Sequence, residues 1–227
     1  MADRPFVLLS VATSVDGYID DASPQRLLLS NAEDFDRVDQ VRAESDAILI
    51  GGNTLRSDNP RLLVNSEKRR ADRVAAGKPE FPLKVTVTAS GELDRDLKFW
   101  HFGDKKVAYT TDAAAPKLRE KLDGLADVVS TGESVDFGAL LDDLAARGVK
   151  RLMVEGGGQI HTQFLSQGLA DEVHLAVAPL LVGDVAAPRF VHPADYPGGS
   201  TRRMKLLEAR TVGDVVLLRY APKEFSA

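Results

Sequence analysis

Apolar runs of about four to six residues recur along the chain, and polar or glycine-bearing turns close them. Phe6-Val7-Leu8-Leu9 is the first. Ala47-Ile48-Leu49-Ile50 is the second and stops at Gly51-Gly52. Lys84 to Thr88, Lys106 to Thr110, Asp127 to Val129 and Arg151 to Val154 follow. Short runs without alternation suit strands covered on both faces. Between them apolar residues return at helical spacing. Ser30-Asn31-Ala32-Glu33 has the spacing of a capping box and leads into Phe35, Val38 and Val41. Phe137, Leu140, Leu141 and Leu144 share a face that Gly148 would end, and Ile160, Phe164 and Leu165 share one ending at Gly168. Pro116 can open a helix carrying Leu118 and Leu122 that ends near Gly124.

The last third differs. Val173, Leu175 and Val177 alternate with His174, Ala176 and Ala178, as in a strand with two distinct faces. Met204 to Thr211 and Val215 to Tyr220 flank Val212-Gly213-Asp214 and read as a terminal hairpin. Strands alternating with helices, then an antiparallel hairpin, predict an α/β domain with a mixed sheet. Arg61 to Lys78 holds six basic and two acidic residues. It reads as a surface loop with at most one helical turn. No linker divides the 227 residues, so one domain is expected, residues 1–227 with a core of about 6–221.

Composition narrows the chemistry. There is no cysteine, which excludes disulfides, thiolate metal sites and a cysteine nucleophile. A net charge of −5 argues against duplex nucleic acid as a partner. No apolar run is long enough for a membrane span, the first residues do not read as a signal peptide, and the expected location is cytoplasmic. His101, His161, His174 and His192 lack metal-site spacing, so no metal is expected and surface or satisfied core roles are. No G-x-S-x-G elbow is present.

Two strands run into glycine turns that open helical patterns, Gly51-Gly52-Asn53-Thr54 and Glu155-Gly156-Gly157-Gly158-Gln159-Ile160-His161. Free amides at such a turn attract anions, and ligands of open α/β sheets gather at the carboxyl ends of strands. Neither turn is a Rossmann fingerprint or a P-loop. Each is equally compatible with a tight structural turn, yet two in one α/β domain favour a phosphate-bearing cofactor. Asp58 and Glu155 lie at or just past strand ends, where an acid or orienting group is useful; either could instead cap a helix. Asp16-Gly17 reads as a turn.

In combination these blocks resemble the riboflavin-biosynthesis pyrimidine reductases. The resemblance rests on Ala12 to Gly17, Arg42 to Gly51, Thr54 with Asp58-Asn59-Pro60-Arg61-Leu62, Val154 to Gly157, Gly168 to Glu172 and Ala178 to Gly183. It spans about Phe6 to Tyr220. It implies a dihydrofolate-reductase-like three-layer sandwich with a mostly parallel sheet and a C-terminal antiparallel hairpin. It also implies a homodimer and NADPH as hydride donor. The family reaction reduces a ribosylaminopyrimidine 5′-phosphate to its ribitylamino form through a ring-opened imine at C1′.

By position, the resemblance assigns Asp58 as the catalytic group that orients reactants or handles a proton. It assigns Ala12, Leu28, Thr54, Asp58 and Ser90 to cofactor, with Gly157, Gly158, Gln159, Ile160 and His161 at the pyrophosphate. Arg26, Arg42, Leu62 and Glu155 fall at substrate positions. This chain departs from the family at Asn59, at Leu28 (usually tryptophan), at Arg26, and at Asn65, where a phosphate-holding arginine is common. The zinc deaminase pattern of the bifunctional enzymes is missing, so the stand-alone form is expected. Two other readings stay open: the same fold and cofactor acting on a pterin, dihydrofolate-like or secondary-metabolite substrate, and a nucleotide-binding protein without catalysis.

Overall fold

The computed structural model describes residues 3–23, 25–200 and 202–226. Their strands form a nine-stranded sheet, mostly parallel, with antiparallel pairing at the C-terminal strands. The chain divides into two compact units, each assembled from separated segments: 1–6 with 39–153, and 7–38 with 154–227.

The first unit carries β2 (Ala47–Gly51), β3 (Leu83–Val87), β4 (Lys106–Thr110), β5 (Asp127–Ser130) and most of β6 (Arg151–Val154). The sheet order here is β5-β4-β3-β2-β6, and β2, β3, β4 and β5 pair in parallel. Every residue of β2 is buried, which accounts for its unbroken apolar sequence. Between the strands lie α2 (Gly52–Asp58), α3 (Glu67–Ala75), α4 (Lys98–His101), α5 (Ala115–Lys121) and α6 (Phe137–Ala146). Ile48, Ile50, Leu55, Leu62, Phe99 and Trp100 pack into one apolar cluster. The Phe99 and Trp100 rings meet edge-on at 4.7 Å. Each contributes roughly 1.5–3 kcal/mol by leaving water.

The second unit carries nearly all of β1 (Phe6–Thr13), with β7 (Glu172–Val177), β8 (Arg203–Val212), β9 (Val215–Ser226) and α7 (Gly158–Ser166). The helix α1 (Ala32–Glu44) begins here. β1 and β7 are parallel, with Leu8 opposite Glu172 and Thr13 opposite Val177. β7 and β9 are antiparallel, and β8 and β9 form the expected hairpin, closed by Val212 opposite Val215. Gly213 turns it at φ 60°. A side chain there would collide with Asn31, whose Nδ2 donates to Val212 O and Asp214 Oδ1 at 2.7 Å each.

Three sequence expectations need correction. The cap of α1 is Asn31 rather than Ser30: Asn31 Oδ1 accepts from the Asp34 amide at 2.8 Å, and the Ser30 hydroxyl donates to the Asp34 carboxylate. The capping-box spacing occurs in two adjacent registers, and the helix uses the second. The basic stretch holds a nine-residue helix, α3, capped by Ser66, instead of a loop. β7 does not alternate cleanly, because Glu172 and His174 are both buried through their mutual bond.

Candidate functional site

In the first unit, α2 starts directly from β2. Gly51 is extended at φ −71°, and Gly52 packs so tightly that a Cβ would lie 3.0 Å from Val87 O and 3.1 Å from Thr88 Cβ. This glycine therefore serves packing against the end of β3. Thr54 is half-buried within α2, and Asp58 closes the helix, exposed, accepting from the Ser57 hydroxyl. Asn59 caps the helix at φ 42°, and its side-chain oxygen accepts from the Lys98 amide at 2.7 Å. Ser90 is exposed in the turn after β3, where its hydroxyl accepts from the Glu92 amide.

The loop 59–66 follows. Leu62 sits at φ 51° with its side chain inside the apolar cluster. Cationic donors hold the loop's carbonyls: Arg42 Nη1 on Leu63 O at 2.9 Å, Arg70 Nη1 on Asn65 O at 2.8 Å and Lys84 Nζ on Arg61 O at 2.9 Å. Asp39 accepts from the amides of Asn65 and Ser66. The basic stretch is largely committed to structure. Lys68 pairs with Asp72, Arg69 with Asp39, Arg70 with Glu80 and Lys78 with Asp46. Arg73 is buried and donates to the carbonyls of Ala43, Ser45 and Pro79.

In the second unit, Ala12 lies near the end of β1 opposite Ala176, and Arg26 and Leu28 are exposed in the coil that precedes α1. After β1 the chain turns at Asp16-Gly17, with Gly17 at φ 85°. Asp16 is more than a turn residue. It accepts from the Ser14 hydroxyl and from the amides of Val182 and Gly183, and these donors hold its carboxyl down to about 2. Arg189 lies over the Tyr18 ring at 4.2 Å and donates to its hydroxyl.

Glu155 is half-buried after β6, and Gly157 caps α7 at φ 80° and ψ 145°, with no side chain capping the helix amides. Gln159 is exposed and Ile160 half-buried in the first turn. Gly158 has a packing reason to be glycine: a Cβ would lie 2.3 Å from Arg189 O and 3.0 Å from His192 Nε2. Gly158→Ala is expected to cost about 1–3 kcal/mol by overpacking; an unchanged urea midpoint would remove the contact.

His161 is fully buried, and its ring nitrogens meet the main chains of Val154 and Phe190 without a well-aligned hydrogen bond among the described residues. Its ring meets Phe190 edge-on at 5.2 Å. Burial drives its pKa down to about 4, against the opposing effect of the Val154 and Phe190 main chains. Against the expectation of satisfied core histidines, this ring is buried with only poorly aligned main-chain partners. His174 fits that expectation, bonding Glu172 at 2.8 Å, and so does His101, exposed and 2.8 Å from Arg95 O. The expected site residues thus fall into two groups. Arg42, Thr54, Asp58, Leu62 and Ser90 belong to the first unit; Ala12, Arg26, Leu28, Glu155 and Gly157 to His161 belong to the second. Sequence reasoning passed over Lys84, a charge interrupting an apolar strand.

The family model for the RibD C-terminal domain matches residues 5–218. The chain belongs to the RibD C-terminal domain family. It is 39% identical over 187 residues to the 2,5-diamino-6-ribosylamino-4(3H)-pyrimidinone 5′-phosphate reductase of Archaeoglobus fulgidus, covering 82% of this chain and 85% of that one. It is 32% identical over 222 residues to the reductase of the same name from Methanothermobacter thermautotrophicus, covering 97% and 99%. Among solved structures, RibD of Acinetobacter baumannii aligns with a TM-score of 0.79 at 23% identity, covering 97% of this chain and 59% of that one. A pyrimidine reductase-like protein of Corynebacterium diphtheriae aligns at 0.77 and 22%, covering 96% and 91%. The fold is accordingly the dihydrofolate-reductase-like α/β fold of the RibD-type reductases. This RibD family chain spans little more than half the length of RibD itself.

Proposed function

We propose that the protein is a reductase of riboflavin biosynthesis and that it acts on 2,5-diamino-6-ribosylamino-4(3H)-pyrimidinone 5′-phosphate, before deamination. The observation that carries this is the 39% identity to a reductase of that name across most of both chains. Identity to chains named RibD is lower, at 27–31%.

A nicotinamide dinucleotide is the hydride donor in this reading, and NADPH the form. The α7 turn fits a diphosphate: its first amides lack a side-chain cap, and a helix N-terminus favours anions. Gly157, Gly158, Gln159 and Ile160 would hold that group, with Thr54, Ser90, Ala12 and Leu28 at its other parts; His161 drops out of the expected set, because its ring is buried and its amide donates to Gly157 O. When bound, the reduced nicotinamide supplies a hydride to C1′ of the ring-opened substrate. No covalent enzyme intermediate is needed, so the protein's task is positioning and proton handling. The exposed Asp58 carboxyl group, oriented by the Ser57 hydroxyl, passes on to nitrogen the proton taken up as C1′ is reduced, and is left as the carboxylate until solvent returns the proton. Arg42, Arg26 and Glu155 bind substrate, and Leu62 would contribute through its main chain, because its side chain is core.

Cytoplasmic residence and a homodimer belong to the same reading. Leu206 and Leu207 on β8 leave apolar surface that a second copy would cover. No helix among the described residues is long and apolar enough to cross a membrane.

Following NADPH absorbance with the diamino substrate, its deaminated counterpart and dihydrofolate tests the assignment. Turnover highest with the first supports it; preference for dihydrofolate overturns it. Asp58→Asn is expected to lower kcat about 10²-fold or more while cofactor affinity stays within about twofold. An equal loss of both would make Asp58 a binding residue.

A further inference from the structure

Lys84 lies on β3 with 1% of its surface exposed, against the ring of Phe99 at 4.4 Å. No carboxylate pairs with it among the described residues. A branched aliphatic residue would fill this position without desolvating a charge. The ammonium instead donates to Arg61 O at 2.9 Å and to Phe99 O. It thereby ties the loop 59–66 to α4 at the residue before Leu62, whose φ of 51° only a held main chain maintains. Burial, and then the charge of Lys106, bring its pKa down to about 7. Lys106 itself donates to Gly103 O and faces Asp104. Neutral lysine keeps two N–H donors, so the tie persists in either protonation state.

The anchored residue, Arg61, stands apart from the other cations of its stretch. Lys68, Arg69, Arg70 and Lys78 have carboxylate partners, and Arg73 is spent on carbonyls. Arg61 is exposed, its guanidinium lies 5.7 Å from the centre of the Phe102 ring, and it has no carboxylate partner among the described residues. Asn65 offers no positive charge, and its amide is held by Asp39.

We propose that Arg61 binds the phosphate of the substrate, and that Lys84 is a positioning residue that fixes the Arg61–Leu62 main chain for that purpose. This rests on the functional reading above, and the experiment separates the two. Arg61→Gln is expected to raise KM for the pyrimidine phosphate about 10- to 100-fold, with kcat and NADPH affinity within about threefold. It should leave the dephosphorylated substrate unaffected. Lys84→Met is expected to raise the same KM and to speed amide exchange at residues 61–65, with no fall in melting temperature. Lys84→Arg should restore part of the KM. In the double variant the losses should fall short of multiplying, because one effect acts through the other.

An unchanged KM in Arg61→Gln, or an equal loss with the dephosphorylated substrate, overturns the phosphate assignment. Unchanged exchange at 61–65 in Lys84→Met, or fully multiplicative losses, overturns the positioning role. If the wild type reduces no ribosylaminopyrimidine phosphate, the functional reading fails and the phosphate assignment with it, while amide exchange still decides the tie.

Discussion

Gly157→Asp is expected to lower NADPH affinity about 100-fold, and Gly157→Ala only about tenfold or less. At φ 80° and ψ 145° Gly157 occupies backbone space that is close to glycine-only, so any side chain costs about 1–3 kcal/mol of strain. Both variants carry that cost. The aspartate does two further things. Its carboxylate can accept from the amides of α7, taking the donors a diphosphate would use. It also sets a negative charge beside an anionic ligand. The cap should return about 1 kcal/mol of stability, so the aspartate variant should melt no lower than the alanine variant while binding much less cofactor. Fluorescence titration with NADPH, alongside thermal melts, separates the contributions. Equal affinity in the two variants would mean that strain alone is felt and that the α7 amides do not meet a phosphate.

The strands of the first unit were legible because their environment is simple. β2, β4 and β6 are bounded within one residue of the apolar runs that announce them. A strand covered on both faces needs apolar residues throughout, and such a run has few alternative readings. α3 was not legible for the opposite reason. Its inward position is filled by Arg73, a charged residue buried by donating to three carbonyls, so no apolar stripe marks the helix. α2 and α4, seven and four residues long, are too short for periodicity to speak.

The candidate site divides the same way. Glycine turns are visible in sequence, but their causes are not. Gly52 and Gly158 are glycines because Val87 O and Arg189 O approach from segments far away in the chain, whereas Gly157 is one because of its own dihedral angles. The burial of Lys84 and the poorly aligned partners of His161 depend on which distant segments close over them. Pattern reading therefore finds where a turn is and leaves open what the turn is for.

Acid should destabilise the protein early, with His161 as a main contributor. Its folded pKa of about 4 lies below the ordinary value of 6.5 because burial penalises the imidazolium. A depressed folded value means the unfolded chain binds the proton first. The stability is therefore present above pH 6.5 and is lost as pH falls toward 4, by about 3 kcal/mol across the window. His174, also lowered by burial, adds in the same direction. Glu172 acts later. Burial opposes its charge, but the bonds from His174 and Arg219 prevail and bring its pKa to about 2. Its contribution is complete above 4.5 and fades between 4.5 and about 2. Urea midpoints of the wild type at pH 7, 5.5 and 4.5 should fall steadily. His161→Leu keeps similar volume and removes two poorly partnered polar atoms, so at pH 7 it should be neutral or stabilising. Its midpoint should fall much less between pH 6.5 and 4.5. Parallel curves for the two proteins would show that this imidazole titrates alike in folded and unfolded chains, and that its ring finds a partner or water in solution.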